Sequence, residues 1–184
     1  MVRSNEVARG MCGASHVQSD IELVFRRPAA IAALLRKQRR KVFESEEICA
    51  TRDGRHFIRA VLPLPVAGRL RPYQIGLWVQ VGKLEFEAIL AQWESPDQAR
   101  QPPFAVQLAN AVPLHSVSTM GLKAELQLVS PMQRPKVRIV ETDHPLFAEQ
   151  QNGITQHRVA EYNACIFGWR RASLPAGQGR TGDH

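Results

Sequence analysis

The chain has 184 residues, of which 44% are hydrophobic and 22% are charged, and its formal net charge is +7. This composition excludes an intrinsically disordered chain and is enough for one hydrophobic core, so we predict a single folded domain. No apolar run approaches the roughly 18 residues of a membrane span. Acidic residues lie where a secretory signal would be apolar, so we predict a cytoplasmic protein.

The positive charge is concentrated in one segment. Residues 26–41 contain no acidic residue and seven cations: Arg26, Arg27, Arg36, Lys37, Arg39, Arg40 and Lys41. Clustered Arg and Lys bind phosphates and carboxylates, so this segment predicts contact with an acidic protein or with nucleic acid. Only Phe25 and Phe43, at its edges, offer rings for base stacking, which argues against specific single-strand recognition.

The N-terminal third predicts an irregular arm followed by a helix. Residues 1–11 show no sustained period, and the domain is predicted to run from residue 12 to residue 171. After Pro28, the residues Ile31, Leu34 and Leu35 fall on one side of an amphipathic helix. Its last turn carries the cations of residues 36–41, which favour the C-terminal end of the helix dipole.

The middle of the chain predicts strands. Residues 48–51 and 56–62 flank Asp53-Gly54, which is a strong hairpin signal. Pro63 and Pro65 are expected to end the second strand of this hairpin, because proline cannot donate to a ladder. The remaining predicted strands are a central one at 73–81 and shorter ones at 104–108, 122–129 and 136–141.

Three further helices are predicted. Residues 83–94 place apolar side chains at helical spacing, and these define the predicted buried face: Leu84, Phe86, Ile89, Leu90 and Trp93. Pro145 suits the first turn of a short helix at 144–151, and Thr155 suits the cap of a last helix that reaches residue 166. Residues 172–184 are predicted to be disordered.

These elements predict an α+β fold. The expected architecture is a single two-layer domain, with an antiparallel sheet of about five or six strands and helices on one face.

The cysteines give no sign of a cross-linked or zinc-ribbon fold. Cys12, Cys49 and Cys165 are odd in number and never form a C-x-x-C pair. We expect reduced thiols, with Cys49 and Cys165 packed as small hydrophobic residues and Cys12 exposed.

Several short sequence motifs follow one another between Cys12 and about Ile166. The most specific motif is Thr142-Asp143-His144-Pro145-Leu146, followed by Glu149-Gln150 and Gly153-Ile154-Thr155. Further motifs are Phe57-Ile58-Arg59, Leu64-Pro65-Val66, Gly76-Leu77-Trp78-Val79, Thr119 with Leu122-Lys123, and Arg134-Pro135. In their order and spacing these motifs resemble a bacterial family, the domain of unknown function family 2199. The resemblance implies no catalytic residue, because the family is named for lacking a function.

The same resemblance bears on metal binding. Members often begin with C-x-x-C-G-x-x-H, half of a zinc site, and this chain keeps Cys12, Gly13 and His16 but has Arg9 at the place of the first cysteine. Two ligands do not make a zinc site, and no other histidine lies at a diagnostic spacing. We therefore predict no metal and no cofactor, and keep Cys12 and His16 as candidates only.

Asp143, His144 and Glu149 are the other candidate residues. A carboxylate can orient an imidazole for general-base chemistry, but Asp143 is better explained as the cap of the helix that follows, with His144 packing locally.

The leading hypothesis is a non-enzymatic binding or adaptor domain that contacts an acidic partner through the basic helix. The alternatives are a nucleic-acid accessory protein, and a hydrolase or metal-dependent enzyme built on His144, Cys12 and His16. The sequence leaves the partner and the oligomeric state open.

Overall fold

The computed structural model of the protein describes residues 22–172. The predicted arm at 1–11 and the predicted disordered tail lie outside the described residues, except that Ala172 is the last residue of a helix. Within residues 22–172, no helix is both long and apolar enough to cross a bilayer.

The described part of the chain contains eight strands, five helices and one short 3-10 turn. In chain order they are β1 (Leu23–Val24), α1 (Ala29–Ala32), α2 (Arg36–Arg39), β2 (Phe43–Glu44), β3 (Ile48–Ala50), β4 (His56–Leu64), β5 (Tyr73–Val81), α3 (Lys83–Gln92), the 3-10 turn (Gln98–Arg100), β6 (Phe104–Leu108), β7 (Lys123–Gln127), β8 (Lys136–Ile139), α4 (Pro145–Asn152) and α5 (Gln156–Ala172).

The sheet has eight strands, five of which close into a barrel, and this corrects the predicted two-layer domain with an antiparallel sheet of about five or six strands. The eight strands follow the order β1-β5-β6-β7-β8-β4-β3-β2, and an additional β4–β5 pairing joins the ends of the five-strand set β5-β6-β7-β8-β4. Most pairings are antiparallel, but β1 pairs with β5 and β8 pairs with β4 in parallel. The α+β class is confirmed.

The strand alternation sorts side chains into two hydrophobic clusters. The barrel core contains Ile58, Ala60, Leu62 and Leu64 of β4 and the odd-numbered residues of β5, with matching residues from β6, β7 and β8. The outer cluster contains Ile31, Cys49, Phe57, Trp78 and Ala109, and it lies on the outside of β4 and β5.

The predicted Asp53-Gly54 hairpin is confirmed. Strands β3 and β4 pair antiparallel with Ile48 opposite Ile58, and Gly54 takes a φ of 85°, a left-handed conformation that suits glycine. Of the two prolines predicted to end the second strand, Pro65 does follow the last residue of β4, Leu64. The prediction is wrong for Pro63, which lies inside β4, because β4 pairs with β5 throughout. The missing N–H of Pro63 affects only the other edge of β4.

The seam between β4 and β8 is where Pro63 has its effect. The Val61 N–H donates to the Pro135 carbonyl at 2.9 Å, and Val61 is opposite Lys136. In a continued parallel ladder the N–H of residue 63 would donate to the Val137 carbonyl, and Pro63 has none. The side chain of Gln150 on α4 takes its place, because Nε2 donates to Val137 O at 2.8 Å and Oε1 accepts from Ile139 N at 2.8 Å.

The single helix predicted over residues 28–41 is wrong. Two short helices, α1 and α2, are separated at Leu35, whose backbone is extended with a φ of −64° and a ψ of 153°. The Gln38 side chain accepts the Leu35 N–H at 2.9 Å and so starts a new helix there. This break lets Ile31 and Leu34 pack into the outer cluster while Leu35 remains 72% exposed.

The other helices are confirmed with different details. Only Phe86 and Ile89 of the predicted face on α3 are buried, and Leu84 and Leu90 are exposed. Helix α3 packs on β4 through this narrow face, and the ring of Phe86 stacks on that of His56. Thr155 caps α5 as predicted, accepting the Arg158 N–H at 3.1 Å.

Candidate functional site

The basic segment is fixed to the barrel by the side chain of Asn110. Its Oδ1 accepts the Trp78 N–H at 2.8 Å, and its Nδ2 donates to the Arg27 carbonyl at 2.8 Å. The indole of Trp78 donates to the Phe25 carbonyl at 3.2 Å, and Ala29 N donates to Ala109 O at 2.8 Å. Buried polar contacts of this kind hold a backbone in one position, so the segment leaves the barrel along a defined path.

The cations of this segment have two different roles. Arg27 is partly buried and forms an ion pair with Glu44. The other six form what we call the basic surface, and none of them makes an ion pair with a described residue: Arg26, Arg36, Lys37, Arg39, Arg40 and Lys41. Arg39 is half-buried and the rest are exposed, so their charges face solvent.

Two large exposed apolar side chains lie in or directly after the basic segment. Leu35 immediately precedes α2 and is 72% exposed, and Phe43 follows Lys41 by two residues and is 64% exposed. A surface of cations with exposed apolar groups differs from a purely solvated charged face, because it offers both charge and apolar area to a partner.

His144 is the N-cap of α4, which corrects the expected role of Asp143. His144 Nδ1 accepts the Leu146 N–H at 3.0 Å, and its Nε2 lies 3.2 Å from the Val117 carbonyl. Since a carbonyl only accepts, the ring carries its hydrogen on Nε2 and uses its Nδ1 lone pair for the cap. Asp143 is exposed, and its carboxylate accepts a hydrogen bond from the Thr142 hydroxyl at 3.5 Å rather than from the backbone of α4.

Glu149 belongs to a buried polar network that sequence reasoning missed. The Tyr162 hydroxyl donates to Glu149 Oε2 at 2.6 Å and lies 3.0 Å from His115 Nε2, which therefore donates to it. Arg158 Nε donates to Glu149 Oε1 at 2.7 Å, and Arg158 also contacts Glu161 and the carbonyl of Leu114. No local pattern marks these residues, because a loop and two helices bring them together.

Burial dominates the electrostatics of the network. The side chain of His115 is 1% exposed, and burial lowers the pKa of His115, although Glu149 opposes this effect. Burial, and then the hydrogen bond to Glu149, raise the pKa of Tyr162 well above its usual range. The network therefore holds a neutral histidine and a neutral tyrosine beside a carboxylate that is paired with Arg158.

The structure describes two of the three cysteines and neither of the candidate metal ligands. Cys49 is buried in the outer cluster as predicted, where burial and nearby Glu44 raise its pKa to about 12, and Cys165 is half-buried. Cys12 and His16 lie outside the described residues. Among residues 22–172, no three His, Cys, Asp or Glu side chains are grouped as metal ligands.

Comparison with known proteins gives one family. The model of DUF2199, described as an uncharacterized protein conserved in bacteria, matches residues 9–154, which is well over half of the chain. The chain belongs to this family. No curated protein and no solved structure matches it.

The DUF2199 match covers the eight described strands and helices α1 to α4, and it ends at Ile154, before α5. The histidine cap and Gln150 therefore lie inside the matched region. Arg158 and Tyr162, which complete the buried network, lie beyond it.

Proposed function

We propose that this DUF2199 protein is a non-enzymatic binding domain whose basic surface holds an acidic protein partner. The observation that carries this proposal is the set of six cations on a positioned backbone, none of which is neutralised by an ion pair with a described residue. Arg side chains bind carboxylates through two parallel hydrogen bonds, and complementary charge speeds association.

The exposed apolar side chains favour a protein over a nucleic acid. Leu35 and Phe43 offer area that a phosphate backbone does not use, whereas an acidic amphipathic peptide contacts both the charges and the apolar groups. A nucleic-acid accessory role is the alternative, and a comparison of peptide binding with DNA binding distinguishes the two.

A reaction at His144 has less support than binding. Both ring nitrogens already make hydrogen bonds with the backbone, one as the helix cap and one to Val117. A general base or metal ligand needs a free lone pair, so His144 would have to leave the cap of α4 to react.

The test compares two probes on the full chain and on a variant. The first probe is a glutamate-rich peptide with interspersed Leu and Phe, and the second is a short DNA duplex. The variant R36Q/K37Q/R39Q/R40Q removes four charges of the basic surface. We expect peptide affinity to fall by more than about tenfold, since several ion pairs are lost together.

The control keeps the net charge of this variant but leaves the basic surface intact. R52Q/K83Q/R100Q/K123Q neutralises four exposed cations elsewhere and should bind the peptide like the full chain. L35Q/F43T should also weaken peptide binding, while leaving DNA binding unchanged. Equal peptide affinity for all variants overturns the proposal, and DNA binding that is tighter than peptide binding and falls steeply with salt favours the nucleic-acid role.

A further inference from the structure

A second surface feature lies beside β4 and β8, where the pairing between these two strands stops. It is a groove of about 700 Å³ between the β4–β5 connection, the segment before β6, strands β7 and β8, and α4. None of its lining residues belongs to the basic surface or to the buried histidine network.

The groove follows from the seam in the barrel. Because Pro63 cannot continue the ladder with β8, the Gln150 side chain bridges the strands and also reaches the Pro63 carbonyl at 3.4 Å. A side chain fills less space than a paired strand, so a concave surface is left beside Pro63, Val137 and Gln150.

The walls are largely apolar. The apolar lining residues are Pro63, Pro65, Val66, Leu70, Pro72 and Pro103, with Val137. Leu70 is fully exposed on the rim, where its side chain adds apolar area to the wall of the groove. Gln127 has its amide committed to the carbonyls of Ala99, Gln101 and Leu128, so it offers no donor to the groove.

The charges around the groove favour an anion. Arg138 is paired with Glu125, and Arg69 is paired with Glu22 and donates to Gln156. Lys136 lines the groove and is exposed, and its ammonium contacts no acidic or acceptor group among residues 22–172. One unneutralised cation therefore faces an apolar concavity.

We propose that this groove binds a small amphipathic monoanion, an apolar molecule that carries one carboxylate. Its apolar body packs on the proline rings and Leu70, and its carboxylate contacts Lys136. The volume lies within the roughly 300–1,000 Å³ of small-molecule sites, and an apolar wall with few polar groups is typical of them. This site is independent of the proposed partner surface.

The test uses decanoate as the probe, with decanol as its uncharged counterpart, titrated calorimetrically into the full chain. We expect decanoate to bind more tightly than decanol. K136Q should weaken decanoate about tenfold and leave decanol unchanged, because only the charge contact is lost. L70D should weaken both ligands, because it removes apolar area and adds a like charge for decanoate.

Matched controls separate the groove from general surface effects. K123Q removes an exposed lysine of β7 that does not line the groove, and L84D alters an exposed leucine of α3, so both should bind decanoate like the full chain. The proposal is overturned if decanoate does not bind at millimolar concentration, or if K136Q and L70D bind it normally. Sedimentation that shows a dimer broken by L70D also overturns it, because a second copy of the chain would then occupy the groove.

Discussion

At the scale of single residues, the polar side chains of the DUF2199 chain act mainly on its backbone. His144 caps a helix, Asn110 links the basic segment to β5, and Gln150 donates to the Val137 carbonyl in place of a strand N–H. Each replaces a backbone partner that the chain geometry does not supply, and a buried backbone group without a partner is costly.

The His144 cap leads to a stability prediction. H144A removes the acceptor for the Leu146 N–H and should lower the free energy of unfolding by about 1–3 kcal/mol, through lost capping and lost packing. H144N should recover about 1 kcal/mol of this, because asparagine is a good cap. Urea unfolding of the three proteins measures both steps, and a destabilised H144A that H144N does not rescue would argue against the cap.

His115 leads to a prediction of pH dependence. Because burial lowers its pKa below the ordinary 6.5, the folded protein binds fewer protons at this ring than the unfolded chain. Its contribution is fully present above pH 6.5 and is lost as the pH falls through the lowered folded value. H115Q keeps a donor for Tyr162 but does not titrate. The loss of stability below pH 6.5 should therefore be smaller in H115Q than in the unchanged chain.

The control for this prediction is H157Q, which changes an 86% exposed histidine on α5. Denaturant unfolding across pH 5–8 should give the same pH dependence for H157Q as for the unchanged chain. An H115Q curve that is parallel to the unchanged chain over this range would contradict the prediction.

At the scale of elements, proline and glutamine together decide how the barrel closes. Pro63 leaves the β4–β5 ladder intact, since its nitrogen faces the other edge, and it interrupts only the pairing with β8. The helix α4 is therefore part of the seam as well as a cover for it, because its Gln150 amide completes the hydrogen bonding of β8.

Removal of that amide should weaken the seam. Q150A leaves Ile139 N and Val137 O without their partners and should lower the free energy of unfolding by at least about 1–3 kcal/mol, the range for one unsatisfied buried polar group. Q151A, at the exposed neighbour, should change stability by less than about 0.5 kcal/mol. The hydrogen-exchange rate of the Ile139 amide should rise in Q150A and not in Q151A. An unchanged rate in Q150A would show that the Gln150 side chain does not protect this amide.

At the scale of the whole molecule, α5 completes a core that the family match does not fully include. Val159 and Tyr162 are buried in the barrel core, and the Tyr162 ring stacks on Tyr73 with centroids 5.5 Å apart. Tyr73 also donates to Asn163 at 3.0 Å. The matched residues 9–154 thus lack side chains that their own barrel needs.

A chain that ends at Ile154 should consequently lose cooperative folding. Loss of two buried side chains costs at least about 4 kcal/mol, against a total stability of about 5–15 kcal/mol for a typical domain. Thermal melting by circular dichroism measures the effect, with Y162A as a partial version and H157A, on the exposed side of α5, as the control. A truncated chain that melts as sharply as the full chain would show that α5 is dispensable.

The sequence alone was sufficient for features that depend on neighbouring residues. Four predictions of this kind are confirmed: the Asp53-Gly54 hairpin, the buried strand at 73–81, the Thr155 cap and the family. They depend on turn residues, on alternation along a strand and on short motifs, all of which can be read within a few neighbouring residues. The basic cluster is also evident from the sequence, although its binding role stays a proposal.

Only the tertiary structure decided the closure of the barrel, the break at Leu35 and the pairing of His115 with Tyr162 and Glu149. These depend on contacts between segments far apart in the chain, for which no local period exists. Pro63 shows the reason most clearly, since a proline ends a strand on one edge only, and which edge it faces is fixed by the fold.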